Sequence, residues 1–61
     1  MKIKSIYVDQ IGRIKIGNPS IYNNTYDKIE YEMNEEMYRC YLNEKIVREY
    51  NKRFVVSVEY D

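Results

Sequence analysis

The sequence has no histidine, no tryptophan and no alanine, and among its 61 residues it has one cysteine, one proline, one leucine, one phenylalanine and two glycines. Without imidazole, the usual serine and cysteine triads and histidine general bases cannot be built within one chain, which removes many hydrolases. The single thiol, Cys40, makes no internal disulfide, and one sulfur without histidine cannot supply the four soft ligands of a structural zinc site. Gly12 and Gly17 are too far apart, and lack a following Lys-Ser/Thr, to form a phosphate-cradling loop. No apolar run approaches the ~18 residues of a membrane span. The basic start Met1–Lys4 meets Asp9 before a secretory hydrophobic stretch develops, so the expectation is a chain that has no membrane partner and is not exported. A free cysteine without disulfides fits a reducing cytosol, and Asn23-Asn24-Thr25 then reads as a polar loop and not a glycosylation acceptor.

At 61 residues and 7.5 kDa the chain is one domain, 1–61. A chain this short buries only ~60% of the surface it exposes when unfolded. With disulfides and zinc set aside, self-association is the favoured supplement to so small a core, as a dimer or a higher homo-oligomer. Ten basic and ten acidic residues cancel, so no whole-molecule field steers the chain toward nucleic acid or membrane. The charge is nevertheless banded: residues 1–26 carry +3, 27–36 carry −4, 39–53 carry +3 and the tail −2.

Eight tyrosines, with the strongest helix formers nearly absent, favour strands. Residues 3–8 and 13–16 flank Asp9-Gln10-Ile11-Gly12, which has the Asp and Gly placement of a type I turn ending in a glycine bulge. The predicted hairpin sets Val8 across from Ile14, Ile6 from Ile16, Tyr7 from Lys15 and Asp9 from Arg13. One face is then purely aliphatic. Asn18-Pro19-Ser20 stops the second strand, and Ile21 to Asp27 is a connection that can hold a short extended piece. Lys28 to Met33 alternates strictly, with Ile29, Tyr31 and Met33 on one side. Asn34-Glu35-Glu36 resembles a helix start. On a helical wheel, however, the apolar and charged residues of 34–50 scatter all round, so no buried face exists. A meander turning near Asn34-Glu35 and Asn43-Glu44 sorts them better, with Tyr38 facing Tyr31, Cys40 facing Ile29 and Arg39 across from Glu30. Arg53 to Tyr60 closes the chain with Phe54, Val56, Val58 and Tyr60 on one face. The expected fold is all-β: a single small antiparallel meander sheet of about five short strands.

Cys40, on an apolar strand face without a histidine to draw off its proton, reads as a small buried hydrophobe. Asp9, Asp27, Glu30 and Glu32 could hold a hard cation, and carboxylates with Mg²⁺ are the histidine-free route to phosphodiester cleavage. The competing reading gives Asp9 a turn role and puts Glu30 and Glu32 on a solvated face. Eight tyrosines exceed what so small a core can bury with every hydroxyl satisfied, so several belong on the surface. Tyr7 with Arg13 and Lys15, and Tyr41 with Arg39 and Arg48, match platforms on which unpaired bases stack while cations hold phosphates. The same residue types also dominate protein–protein contacts, so DNA and a protein partner both remain open.

The stretches MKIKSIYVDQIGRIKIGN (Met1 to Asn18) and MNEEMYRCYLNEKIV (Met33 to Val47), within a histidine-free chain rich in Asn, Tyr, Ile and Lys, resemble accessory proteins of phages and prophages, including anti-CRISPR proteins. One small type in that group is similar to the positive-cofactor fold, a curved antiparallel sheet that dimerises and binds single-stranded DNA. The resemblance implies a counter-defence protein in the bacterial cytoplasm that nicks supercoiled DNA, so that a Cas9 complex loses torsional help in opening its target. A metal-dependent nickase of this kind would use Mg²⁺, with Asp9, beside Arg13 in the expected register, as the acid to test. The alternatives are a non-enzymatic inhibitor occupying a nuclease effector, and a structural or assembly protein of a mobile element.

Overall fold

The computed structural model describes residues 1–19 and 25–61. Most of the Ile21–Asp27 connection, and the Asn pair of Asn23-Asn24-Thr25, lie outside the described residues. Among the described residues six strands form: β1 (Ile3–Val8), β2 (Gly12–Lys15), β3 (Lys28–Glu32), β4 (Met37–Leu42), β5 (Lys45–Asn51) and β6 (Val55–Tyr60), with a 3₁₀ turn, Lys52–Phe54, between the last two. They make two three-stranded antiparallel sheets, ordered β2-β1-β6 and β3-β4-β5, and not the single five-stranded meander expected from the sequence. A lone sheet would leave its apolar face in water. Instead β6 returns to the free edge of β1, and one core draws on both sheets: Ile3, Ile6, Val8 and Ile14 from the first, Ile29 and Cys40 from the second, and Tyr26 from the connection. The radius of gyration, 10.4 Å, is close to the ~10.5 Å expected of a compact chain of this length.

The first hairpin keeps its aliphatic face but shifts by two residues from the expected register. Ile6 lies across from Ile14, Tyr7 from Arg13 and Val8 from Gly12. The tight turn comes one residue early, with the Ile11 amide donating to the Val8 carbonyl at 3.1 Å, Gln10 at φ 66° and Gly12 at φ 108°. A two-residue slip preserves which face each side chain occupies, so the hydrophobic pattern could not distinguish the two registers.

Period-two geometry persists past Asn34. Tyr31 pairs with Tyr38, Glu30 with Arg39 and Ile29 with Cys40, the register expected from the sequence. Asn43 and Glu44 form the two-residue link to β5 with φ of 53° and 68°, the positive values of a type I′ hairpin turn. The Asp27 carboxylate accepts from the Asn43 amide at 2.9 Å and ties that turn back to the start of β3.

In β6 the expected apolar face does not hold. A register shift opposite Tyr7 and Val8 turns Val55 and Val58 toward the core and leaves Val56 67% exposed. The shift breaks strict alternation, which a one-strand reading assumes.

Candidate functional site

Three features stand out among the described residues, the first on the outer face of sheet β2-β1-β6. Tyr7 and Arg13 are direct partners across the hairpin, and the Arg13 guanidinium lies 5.4 Å from the centre of the Tyr7 ring. Lys15 sits across from Ser5 on the same face. Ser5 is fully buried beneath these neighbours: its hydroxyl donates to Glu59 Oε1 at 2.5 Å, and its oxygen accepts from Arg13 Nη1 at 3.1 Å. Arg13 Nη1 is 3.5 Å from the same carboxylate oxygen. The Ser5 hydroxyl, and after it the Arg13 charge, hold the Glu59 carboxyl below the usual carboxylate range. The expected cluster of Tyr7, Arg13 and Lys15 is therefore assembled. Its arginine, however, is hydrogen-bonded to Ser5 and ion-paired with Glu59.

Asp9 lies in the turn after β1, where its backbone amide donates to the Phe54 carbonyl at 2.7 Å. Arg13 faces Tyr7 and not Asp9, so the cross-strand pairing that placed Asp9 beside Arg13 is absent. Among the described residues, no three Cys, Asp or Glu side chains come together to hold a metal ion.

The second place is Arg39, at the centre of the outer face of sheet β3-β4-β5. Its guanidinium pairs with Glu49 at 2.8 Å, Glu35 at 2.9 Å and Glu32 at 3.8 Å. Glu30, directly across from it, turns instead to Lys28 at 3.7 Å. Hydrogen bonds to Glu49 and Glu35 hold the guanidinium still more firmly protonated than usual. Tyr41 shares this face by alternation, but its cation is Lys28, 4.4 Å above the ring. Arg48 pairs with Cys40 across the sheet and so belongs to the opposite face. The second expected cluster of Tyr41, Arg39 and Arg48 is divided between two faces.

The third place is a cleft of about 670 Å³ that runs along all five residues of β3, with the ends of β1 and β6 as its far wall. Sequence reasoning did not anticipate it, because it exists only between two sheets. Ser5 and Glu59 were missed for a related reason: they are 54 residues apart and meet only through β1–β6 pairing. The Lys28–Tyr41 contact was within reach, since it follows from extending the Tyr31–Tyr38 register by three positions.

Folding also consolidates the charge bands. Residues 27–51, which hold the second sheet, carry seven acids and four bases for a net −3, and the remainder carries six bases and three acids for +3. Cys40 is buried, and that burial pushes its thiol up to about 12, the signature of an inert side chain. No helix among the described residues is long and apolar enough to cross a membrane. No family model, no curated protein and no solved structure matches the chain.

Proposed function

We propose that this protein is a non-enzymatic counter-defence protein of phage or mobile-element origin, which blocks a nuclease effector in the bacterial cytoplasm by occupying part of its surface. One observation carries the choice of protein contact over DNA chemistry. Of the arginines on the two outer faces, Arg39 is held by three carboxylates and Arg13 is ion-paired with Glu59, while Tyr7, Tyr31, Phe54, Val56 and Tyr60 stay exposed. The counter-defence context rests on the resemblance of Met1 to Asn18 and Met33 to Val47 to anti-CRISPR-type accessory proteins. Self-association belongs to the same proposal, because those exposed apolar side chains suit a second copy as well as an effector.

A second reading has its own support. Tyr7 beside Arg13 and Lys15 lies on the +3 half of the molecule, as a surface for unpaired DNA would. In that reading the protein binds DNA and nicks it with Mg²⁺, Asp9 acting as the acid. Purified protein incubated with supercoiled plasmid and magnesium, with and without chelator, separates the two when read beside DNA retention at low salt and a mass measurement in solution. The inhibitor reading expects intact plasmid, no retention and stoichiometric loss of effector activity in a sample freed of nucleic acid. Chelator-sensitive nicking that disappears in Asp9→Ala would establish the second reading instead.

A further inference from the structure

We infer that the free edge of β3 is a docking site for an extended segment of a partner protein that joins the sheet as a fourth strand, with the antiparallel pattern basic–apolar–basic–apolar–acidic. The inference rests on the inhibitor reading and names the contact through which it would work. β3 ends its sheet, so among the described residues no strand pairs with its outer edge. The Asp27 amide donates inward to the Tyr41 carbonyl on β4. That carbonyl points at β3, so Lys28 and Tyr41 are a hydrogen-bonded pair; alternation then turns the main-chain groups of Lys28, Glu30 and Glu32 to β4 and those of Ile29 and Tyr31 to the free edge, where they offer the donors and acceptors that strand addition uses.

The walls of the cleft specify what fits. Along the outer face β3 presents Glu32, Glu30 and Lys28; their ion pairs, Glu32 with Arg39 at 3.8 Å and Glu30 with Lys28 at 3.7 Å, are long and partly exposed, so basic, basic and acidic partners in antiparallel order compete for them. Along the other face it presents Tyr31 and Ile29, opposite Ile3 and Tyr60. Tyr31 and Tyr60 are 36% and 49% exposed, leaving ring surface open for two apolar side chains. The acids lining the cleft, Asp27, Glu30, Glu32 and Asp61, outnumber its bases, Lys2, Lys28 and Arg39, which favours a basic segment over an acidic one. A nuclease effector supplies that chemistry, since proteins that neutralise phosphates carry Lys and Arg on their nucleic-acid surfaces.

The probe is a fluorescein-labelled peptide, Gly-Lys-Val-Arg-Val-Glu-Gly, titrated with the full chain and read by anisotropy. Saturable binding is expected, together with its loss when the two basic residues of the peptide are replaced by Glu. Glu30→Lys combined with Glu32→Lys should weaken binding roughly tenfold or more, the scale of losing charge-assisted bonds. Circular dichroism verifies that this variant is folded. Backbone N-methylation separates strand addition from simple charge attraction without altering the protein. Methyl groups on the two Val amides of the peptide, which lie across from Tyr31 and Ile29 and face β3, should abolish binding, while methyl groups on the Lys and Arg amides should not. Equal binding by the two methylated peptides, equal binding by the charge-reversed peptide, or no binding up to about 1 mM overturns the inference. Its failure is separable from failure of the inhibitor reading. An effector inhibited equally by the wild-type chain and by the Glu30→Lys/Glu32→Lys variant rejects the β3 edge as the contact and leaves the inhibitor reading standing. Peptide binding without inhibition of any effector does the reverse.

Discussion

The two sheets are similar in size but are held together differently. Sheet β2-β1-β6 is built around a strand whose Ile3, Ser5, Ile6 and Val8 are all buried, and it adds Ile14 from β2. Sheet β3-β4-β5 gives the core only Ile29 and Cys40, and β5 contributes no buried residue. What the second sheet lacks in burial it supplies in ion pairs around Arg39, a tilted Tyr31–Tyr38 ring contact with centres 4.7 Å apart, and a turn tied down by Asp27. Burial is the larger source of stability, and exposed ion pairs contribute little, so the first sheet acts as the scaffold and the second as a surface displayed on it.

The largest expected difference sets Ile6 against Ile46. Ile6→Ala opens a cavity at the fully buried centre of β1 and should cost about 2–5 kcal/mol. A chain of this length has only about 3–9 kcal/mol in total, so urea denaturation should show partial or complete unfolding. Ile46→Ala in β5, where the side chain is 48% exposed, should stay within about 0.5 kcal/mol of wild type. Comparable losses at the two positions would remove the distinction between scaffold and display.

Cys40 tests where the second sheet joins the core. Its thiol is neutral in the folded state up to about 12, while an unfolded thiol ionises near ~8.5. The contribution is thus fully present below the unfolded value and is lost as pH rises from there toward the folded value. Urea midpoints measured from pH 8 upward should fall less steeply in Cys40→Ala than in wild type, and iodoacetamide should label the native thiol only after unfolding. Identical slopes together with rapid native labelling would mean that β4 does not seal the core.

The β4–β5 turn offers a gain. Glu44 occupies a positive-φ conformation that costs a side-chain-bearing residue about 1 kcal/mol. Glu44→Gly should relieve most of that cost and raise Tm by several degrees in a thermal scan; a lowered Tm would show that the Glu44 side chain holds something its backbone strain conceals.

The smallest effect belongs to Glu59. Its depressed ionisation stabilises the fold above the unfolded carboxyl range, and that contribution is lost as pH falls through the folded value. Glu59→Gln should flatten only the acid limb of a stability profile taken from pH 6 to 3. An unchanged limb would reduce the Ser5–Arg13–Glu59 cluster to a surface contact.

Legibility in the sequence followed sequence separation. The Tyr31–Tyr38 register was readable because it spans one short turn and joins two alternating strands, with Arg39 falling across from Glu30. The carboxylates gathered around Arg39 were not readable in the same way. Two of its carboxylates, Glu35 and Glu49, come from a turn and from a third strand, which a pairwise reading does not bring together. The division of Tyr41 from Arg48 traces to a register shift after Cys40, a local irregularity with no marker in side-chain pattern.

By itself the sequence determined the all-β class, the strand that replaces the tempting helix after Asn34, the aliphatic face of β1 and β2, and the burial of Cys40. All of these follow from period-two alternation and composition, which act over a few residues. Only the tertiary structure decided that β6 would close on β1 and divide the chain into two sheets. It likewise decided that Glu59 would meet Ser5 and that a cleft would open along β3. Those outcomes depend on which of several equally apolar edges and faces pair, and the free energy that selects among them comes from burying one shared core, a property of the whole chain.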